Sequence, residues 1–453
     1  MPDEPSSFLI AGCGVSGRGA ARLASFLHYD FSLVDEKDSP ELRDFAAGLE
    51  HPPKQVCFGW VPGTPLPSAV QAVLSPGIRK TSALYQALLD AVPSLSGELD
   101  FALKRLPCPY VGITGTNGKT TVTELTAELL NASGLRTQAA GNIGDSLSDA
   151  VIRALRHEID CVVVEISSFQ LETMEIPHPD AAVLLNLASD HMDRYDAPED
   201  YAAVKFKLLR GMRSACILNH ELRGIARRYL NPKVPRLTFS TTRKTAFYSM
   251  RGDFFCRDGK ELFAVSPLPL KGRHNMENIL ASLGLLESIR GVDALRSEEV
   301  YQALLNFRPA AHRQELFLEK NGVRYVDDSK ATNPHAVNAA LDAVPENSRV
   351  ILILGGQDKD MDFNELLPHL KPVRLALCVG QASGRICEVI RSHVKTEQCS
   401  SFEDAVRRAC QAAGKGDTVL LSPACASFDM FRGYAERGDV FQSLVRKLLA
   451  EEK

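Results

Sequence analysis

Gly112-Ile113-Thr114-Gly115-Thr116-Asn117-Gly118-Lys119-Thr120-Thr121 stands between the short apolar segment Tyr110-Val111-Gly112-Ile113 and a helical pattern running from Thr121 to Leu130. A strand, a loop of small residues and a helix that starts on Lys and Thr make a phosphate cradle. Small residues let the backbone wrap closely around a triphosphate, and the helix start presents N–H groups to it. Lys119 would reach the outer phosphates and the Thr120 hydroxyl would serve Mg2+, so ATP or GTP is the expected ligand. The spacing is not the standard one, because Asn117 and Gly118 stand before Lys119 and the first glycine falls where a looser loop would begin. The run also lies more than a hundred residues into the chain, so a folded unit is expected ahead of it.

That unit opens with Phe8-Leu9-Ile10-Ala11, the turn Gly12-Cys13-Gly14-Val15-Ser16-Gly17-Arg18-Gly19, a helical stretch from Ala20 to Leu27, and Phe31-Ser32-Leu33-Val34 ending on Asp35. Strand, glycine turn, helix, strand and terminal acid form a dinucleotide fingerprint in which Asp35 accepts hydrogen bonds from a ribose. A Rossmann-like half ahead of a phosphate loop can equally hold a nucleotide-linked substrate, with ATP bound second. On the residues alone both readings stand. Val73-Leu74 running into Ser75-Pro76-Gly77 reads as another strand end turning into a phosphate-facing loop.

A chain of 453 residues exceeds one ordinary core, so two or three domains are expected. The prolines of Leu106-Pro107-Cys108-Pro109 mark a linker and a boundary near residue 100, and a second boundary is expected near 306. Hydrophobic residues at 45% and charged residues at 24% describe a soluble globular protein, and a net charge of −4 gives no footprint for nucleic acid. The acidic start Met1-Pro2-Asp3-Glu4 leads straight into an apolar strand, the wrong order for a signal peptide. With no apolar stretch of spanning length, membrane insertion is not expected and the compartment is expected to be cytoplasmic. Eleven scattered cysteines without Cys-x-x-Cys pairs read as small apolar core residues in a reducing compartment.

Downstream of the cradle, Asp160 to Ile166 and Ala181 to Asn186 are buried-strand candidates ending in polar residues, the place where parallel sheets bind ligands. Glu165 and the cluster Asp190-His191-Met192-Asp193 are therefore candidate magnesium ligands beside Thr120. Lys205, in Tyr201-Ala202-Ala203-Val204-Lys205, reads by itself as a surface lysine of a helical stretch. Between Leu237 and Pro267, short antiparallel strands are expected beside the main sheet. In the last third, apolar strands end in Asp327-Asp328-Ser329-Lys330, Gly355-Gly356-Gln357-Asp358-Lys359 and Ser422-Pro423-Ala424-Cys425-Ala426-Ser427. These alternate with helical stretches, which predicts a doubly wound α/β domain with an anion site at its strand ends. Cys425 has no base placed near it by motif and is not read as a nucleophile.

Taken together, Gly115-Thr116-Asn117-Gly118-Lys119-Thr120-Thr121, Glu165-Ile166-Ser167-Ser168-Phe169-Gln170-Leu171, Asp190-His191-Met192-Asp193-Arg194-Tyr195, Gly272-Arg273-His274-Asn275, Asp328-Ser329-Lys330-Ala331-Thr332-Asn333 and Ser422-Pro423-Ala424-Cys425-Ala426-Ser427 resemble the Mur ligase family, from about residue 8 to the C-terminus. The phosphate loop and Gly272-Arg273-His274-Asn275 are shared with folylpolyglutamate synthases, while the Ser167, Asp190 and Ser422 motifs resemble the D-glutamate-adding branch. The resemblance implies an α/β fold of three domains: an N-terminal Rossmann-like UDP-binding domain over 1–100, a central P-loop ATPase-like domain over 101–305, and a C-terminal doubly wound amino-acid-binding domain over 306–453. The central domain would have a mostly parallel sheet with small antiparallel strands added.

The implied activity is ATP-dependent addition of D-glutamate to UDP-N-acetylmuramoyl-L-alanine through an acyl phosphate, in cytoplasmic peptidoglycan precursor synthesis, by a monomer. Under the resemblance Ser16, Gly17, Arg18, Asp35, Ser75 and Gly77 would grip the UDP end of that substrate, and Asn142 would face its muramoyl side. Gly115 to Thr121 would hold ATP, Asn275 and Asn278 its base, and Arg313 and Asp328 its phosphates and ribose. Thr120, Glu165, His191 and Lys205 would serve two Mg2+ ions, with Lys205 carbamylated. Lys330, Thr332, Lys359, Ser427, Phe428 and Tyr434 would form the D-glutamate pocket, and Lys119, Glu165, His191, Lys205 and Lys330 would carry the chemistry. The rivals are a folylpolyglutamate synthase, a family member adding another amino acid, and a nucleotide-regulated scaffold.

Overall fold

A computed structural model describes residues 7–451 except 189, 191–193, 196, 213–215, 345–347 and 360. Three sheets, of five, nine and six strands among the described residues, follow one another along the chain. The first is wholly parallel, in the order Gln55–Phe58, Asp30–Asp35, Ser7–Ala11, Gln71–Leu74, Ser94–Gly97. Its chain order reverses between Ser7–Ala11 and Gln71–Leu74, and a ligand crevice opens at such a switch point. The glycine turn after Ser7–Ala11 sits there, facing Ser75. A Cβ on Gly17 would come within 1.7 Å of the Gly12 carbonyl oxygen, so the helix Val15–Phe26 approaches the turn only because that position is glycine.

The second sheet surrounds the phosphate loop. Tyr110–Thr114 lies between Cys161–Glu165 and Ala181–Leu184, all parallel, and all three strands are buried from end to end. Strands covered by helices on both faces must be apolar throughout, which is why Val162-Val163-Val164 shows no alternation. Beyond Ala181–Leu184 the sheet continues through Cys216–Asn219 and Arg236–Ser240, again parallel. The stretch expected to be antiparallel divides. Tyr248–Arg251 pairs parallel with Arg236–Ser240 through Phe239 and Ser240, and only the hairpins Tyr248–Arg251, Phe254–Arg257 and Lys260–Ala264 run antiparallel. The connection between residues 240 and 248 loops back only far enough to set Tyr248 beside Phe239, so the short strand enters in the parallel sense at the carboxyl end of Arg236–Ser240.

The third sheet runs Glu315–Lys320, Val323–Asp327, Asp417–Leu421, Arg349–Gly355, Val373–Val379, Thr396–Gln398. Only its first pair is antiparallel. Helices cover both faces, with Val337, Phe363 and Ile386 packed on one side and Phe402, Val406 and Phe441 on the other. The α/β architecture of mostly parallel sheets is thus as the motifs imply.

The sheets are joined by buried polar contacts as well as by chain. Glu98, at the start of the helix Glu98–Leu103, accepts from the Ser148 N–H at 2.8 Å and hydroxyl at 2.6 Å, and Arg22 grips Asp149 with two bonds of 2.7 Å. These contacts fix the first sheet against the helix Leu147–Leu155 of the second. No helix among the described residues is long and apolar enough to cross a membrane.

Candidate active site between the second and third sheets

Gly118 begins the helix Lys119–Ala132 at φ 82°, a left-handed conformation that glycine adopts without strain, and no side chain caps that end. Lys119 folds back onto the loop, donating from Nζ to the carbonyls of Gly115 at 2.9 Å and Thr116 at 2.8 Å. At the second residue of the helix, Thr120 donates its hydroxyl to Glu165 Oε2 at 2.6 Å, and Asn142 Nδ2 donates to Oε1 of the same carboxylate at 2.9 Å. Glu165 ends its strand fully buried with both oxygens engaged. A buried carboxylate needs such partners, and a hard cation is the alternative one.

Lys205 is not a surface residue. Its side chain is 1% exposed, donates to the Gly115 carbonyl at 2.8 Å, and lies 4.6 Å from the Tyr201 ring centroid. The helix Pro198–Arg210 packs directly on the phosphate strand, where Leu208 touches Gly112, so this face points inward. Burial, and then the neighbouring Lys119, hold its pKa well below that of a free lysine, while Asp190 and Glu165 act in the opposite sense. Burial likewise lowers that of Lys119.

The third sheet supplies the opposite wall. Lys330 lies 3.8 Å from the Tyr434 ring centroid, and burial, with Arg313 next in weight, lowers its pKa to about 8. Asp328 accepts from the Ser422 hydroxyl at 2.8 Å and the Gln314 N–H at 3.2 Å, and burial raises its pKa to about 7. Arg313 sits between His312 at φ 63° and Gln314 at φ 46°, two non-glycine residues in the left-handed region. Between the walls is a cavity of about 310 Å³ lined by Gly118, Thr121, Asn275, Asn278, Arg313, Asp328 and Lys330 among others. Its lining is mixed, with apolar Leu187, Leu222 and Phe239 and polar Asn186, Asn219 and Glu277.

The two walls touch through amides. Asn117 and Asn333 exchange bonds of 3.3 and 3.2 Å, Asn117 also meets His335 Nδ1 at 2.8 Å, and Asn333 donates to Asp190 at 3.3 Å. Sequence reading missed Asn333 and His335 as contacts of the phosphate loop, since they lie 216 and 218 positions from Asn117. It also missed Arg437, which is fully buried and donates to the carbonyls of Ser329 at 2.8 Å and Cys425 at 3.1 Å and to the Ser329 hydroxyl at 3.0 Å. That guanidinium ties the Lys330 loop to the loop of Ser427 and Phe428. Ser427 is buried, Phe428 is 67% exposed, and Cys425 is buried with its thiol pKa pushed up to about 12. Ala331 and Ala336 line the cavity, whereas Thr332, Lys359, Ser427 and Phe428 do not. Lys359 is close enough to depress the pKa values of both Lys119 and Lys330.

The first-sheet residues form a separate place. Asp35 spends both oxygens on backbone N–H groups, of Cys13 at 2.5 Å and Lys37 at 2.8 Å. Arg18 donates to the Cys13 carbonyl at 3.0 Å and pairs with Glu41 at 2.8 Å, and Ser75 donates to the Gly12 carbonyl at 2.6 Å. Ser16 is half-buried and Gly77 exposed. Ser75 and Lys80 meet Phe169 and Arg194 in a narrow cleft leading toward the second sheet. His191 and Asp193 lie outside the described residues.

Residues 113–286 match the family described as Mur ligase middle domain, and residues 312–425 the Mur ligase glutamate ligase domain. The UDP-N-acetylmuramoylalanine--D-glutamate ligase of Desulfitobacterium hafniense is 36% identical over 452 residues, covering 97% of each chain. The ligase of the same name from Pseudomonas aeruginosa is 34% identical over 97% of this chain and 98% of its own. Among solved structures, the MurF ligase of Thermotoga maritima in complex with ADP superposes with a TM-score of 0.62 at 17% identity, covering 94% of this chain and 96% of that one.

Proposed function

The chain belongs to the Mur ligase family, and we infer from that membership and from the site that it joins D-glutamate to UDP-N-acetylmuramoyl-L-alanine with cleavage of ATP. It is an ATP-dependent, amide-forming ligase of peptidoglycan precursor synthesis. The observation that carries the reading is a convergence. Lys330, from the third sheet, lies in the field of Lys119 and Glu165, from the second, so the phosphate loop and the candidate amino-acid loop address one centre.

The reaction has two displacements. The terminal carboxylate of the UDP-linked substrate attacks the γ-phosphorus of ATP, the bond to the β-phosphate oxygen breaks, and an acyl phosphate and ADP result. The amine of D-glutamate then attacks the acyl carbon, and phosphate leaves with formation of the amide. We assign the loop Gly115, Thr116, Asn117, Gly118 and Thr121 to the ATP phosphates, and Asn275 and Asn278 to the base end of the 310 Å³ cavity. Lys119 and Arg313 would offset charge on the transferring phosphoryl group. Lys330 and Lys359 would hold the carboxylates of D-glutamate, with Thr332, Ser427, Phe428 and Tyr434 around them. Ser16, Gly17, Arg18, Asp35, Ser75 and Gly77 are assigned to the UDP end of the substrate and Asn142 to its muramoyl side.

The donor set fits magnesium, since Thr120 and Glu165 present hard oxygens 2.6 Å apart in a buried place beside the phosphate loop. Thr120 would serve the ion at the ATP phosphates, Glu165 with His191 would hold the second, and Lys205 would help arrange both. Bound Mg2+ would supply charge neutralisation during phosphoryl transfer. Lys205 suits this duty only as a carbamate, because an ammonium repels a cation. Carbamylation needs a neutral amine, which burial favours here. The modified side chain would give up its bond to the Gly115 carbonyl. We place the reaction in the cytoplasm, in a monomer whose domains span residues 1–100, 101–305 and 306–453.

The deciding test is ATP-dependent phosphate release with UDP-N-acetylmuramoyl-L-alanine, comparing D-glutamate with L-glutamate, L-lysine and meso-diaminopimelate and recording product mass. Product formed with D-glutamate alone is expected. Turnover only with another amino acid, or only with a different carboxylate acceptor, would overturn the substrate reading.

A further inference from the structure

Glu172 stands in the helix Ser168–Thr173, which follows the strand Cys161–Glu165, and its side chain is 8% exposed. Both carboxylate oxygens are engaged by groups from elsewhere in the chain. Arg194 donates from Nε to Oε1 at 3.0 Å and from Nη2 to Oε2 at 2.8 Å, the forked fit of a guanidinium to a carboxylate. The Tyr195 hydroxyl donates to Oε1 at 2.6 Å. From the side of the first sheet, Lys80 reaches Oε2 at 3.4 Å out of the loop that follows Ser75-Pro76-Gly77. One carboxylate thus ties the first sheet's loops to the second sheet.

Each of the three donors leads on to a ligand-facing part of the molecule. Lys80 shares its loop with Ser75, which donates to the Gly12 carbonyl at 2.6 Å, and the Lys80 carbonyl accepts from Gln86 Nε2 at 2.7 Å. Arg194 lies over the Phe169 ring, 4.1 Å from its centroid, and both line the narrow cleft between the first and second sheets. Tyr195 packs its ring 5.2 Å from that of Tyr201, whose hydroxyl shares a 3.2 Å hydrogen bond with the Thr116 hydroxyl. Thr116 belongs to the phosphate loop, and its hydroxyl also accepts from the Ala188 N–H at 3.0 Å. Tyr195, Tyr201 and Thr116 are buried, while Lys80 stands at the surface end of the chain of contacts, 55% exposed.

We propose, resting on the assignment of the first-sheet crevice to UDP, that Glu172 is a positioning residue that couples the two nucleotide sites. Nucleotide on the phosphate loop orders the loop 76–82 for the UDP-linked substrate, and that substrate in turn tightens the nucleotide. Glu172 acts through Arg194 and Phe169, which wall one side of the cleft, and through Lys80, which holds the other. A nucleotide that fixes Thr116 fixes the Tyr201 and Tyr195 rings behind it. The Tyr195 hydroxyl then fixes the carboxylate that Lys80 pairs with. Coupling between two binding sites is reciprocal, so either ligand reports it.

Hydrogen exchange of the full-length protein, read by mass spectrometry over residues 76–86, is measured with and without ADP and Mg2+. Calorimetry measures Kd for ADP with and without UDP-N-acetylmuramoyl-L-alanine. In the wild type we expect ADP to slow exchange over 76–86 several-fold, and the UDP-linked substrate to lower Kd for ADP by about fivefold or more. Lys80→Met, a change at the surface, should lose both effects while keeping the wild-type Kd for ADP alone, and Lys80→Arg should retain them. Glu172→Gln keeps the volume, removes the charge, and should lose both as well. A merely structural Glu172 would lower the stability of Glu172→Gln and leave Lys80→Met coupled like the wild type, which overturns the proposal. So does a wild type in which ADP leaves exchange over 76–86 unchanged. The exchange measurement contains no UDP-linked substrate. ADP protection that Lys80→Met abolishes therefore supports the coupling even where UDP-N-acetylmuramoyl-L-alanine fails to bind, a failure that overturns the substrate reading alone.

Discussion

Thr120 and Glu165 meet at 2.6 Å, a hydroxyl from the start of a helix against a carboxylate from the end of the neighbouring strand, 45 positions apart in the chain. The bond exists because Tyr110–Thr114 and Cys161–Glu165 are adjacent and parallel, so their following segments emerge on the same edge. The hydroxyl proton is set against the buried charge of the carboxylate.

Thr120→Val keeps the shape of the side chain and removes the oxygen donor. We expect kcat to fall by about 10–100-fold, the range typical of groups that support a metal site, and the Mg2+ concentration for half-maximal rate to rise. Glu165→Gln should cost more, because the carboxamide supplies no charge. Magnesium titrations of initial rate check both, and an unchanged magnesium requirement in Thr120→Val would remove Thr120 from the metal assignment.

Lys205 gives a prediction that does not depend on turnover. With labelled bicarbonate, carbon-13 NMR should show a carbamate resonance in the wild type that is missing from Lys205→Ala. The resonance should weaken as pH falls, because acid protonates the amine and the carbamate then decomposes. Lys205→Arg, charged at all working pH values, should be inactive by about 100-fold or more. A wild-type spectrum without the resonance under activity conditions would leave Lys205 as a structural amine bound to Gly115.

Lys330 should control the pH dependence of dicarboxylate binding. Its pKa of about 8 means that the free enzyme carries the ammonium below that value and loses it above. Affinity for glutarate, which lacks the reacting amine, should therefore be highest below pH 8 and fall above it by up to about tenfold per pH unit. In Lys330→Arg the guanidinium stays charged, so binding is weaker from the altered geometry but flat across the same window. Calorimetric titration at several pH values measures both, and a wild-type affinity independent of pH from 7 to 10 would separate Lys330 from the carboxylate contact.

The local motifs made the edges of this site legible and its depth illegible. Glu165 is readable because it ends a continuous apolar strand, and Lys330 because it stands in the polar loop that follows one, the place where a strand-end crevice opens. Lys205 is not readable that way, since the helix Pro198–Arg210 carries charges on several faces and only its packing on Gly112 decides which one is covered. The parallel entry of Tyr248–Arg251 escaped for a related reason: strand spacing predicts pairing but not direction when a connection of several residues permits either. Asn333 is a polar residue before a helix, which reads as an N-cap, and it is one, accepting from the Ala336 N–H. That its amide also meets Asn117 depends on how two sheets are brought together, and no local pattern encodes that.

Arg437 is where packing and function can be separated most sharply. The helix Tyr434–Glu451 delivers a guanidinium with no exposed surface to three backbone carbonyls and one hydroxyl, at Ser329, Cys425 and Ala426. Burial lowers its pKa to about 10, which still leaves it charged at neutral pH. Arg437→Met would fill much of the same volume but take their donor from the Ser329 and Cys425 carbonyls, at roughly 1–3 kcal/mol for each buried group left unpaired, while the Ala426 carbonyl keeps the Gln357 N–H. We expect a loss of about 3 kcal/mol or more in urea unfolding, and in the protein that remains folded a raised KM for D-glutamate with KM for ATP little changed. Arg437→Lys, with one point charge in place of a fork, should recover part of the stability and less of the KM. The two substitutions together distinguish a residue that holds the Ser329 and Cys425 loops in register from one that only fills the core. A purely packing role would leave Arg437→Met with an ordinary KM at temperatures where it is folded.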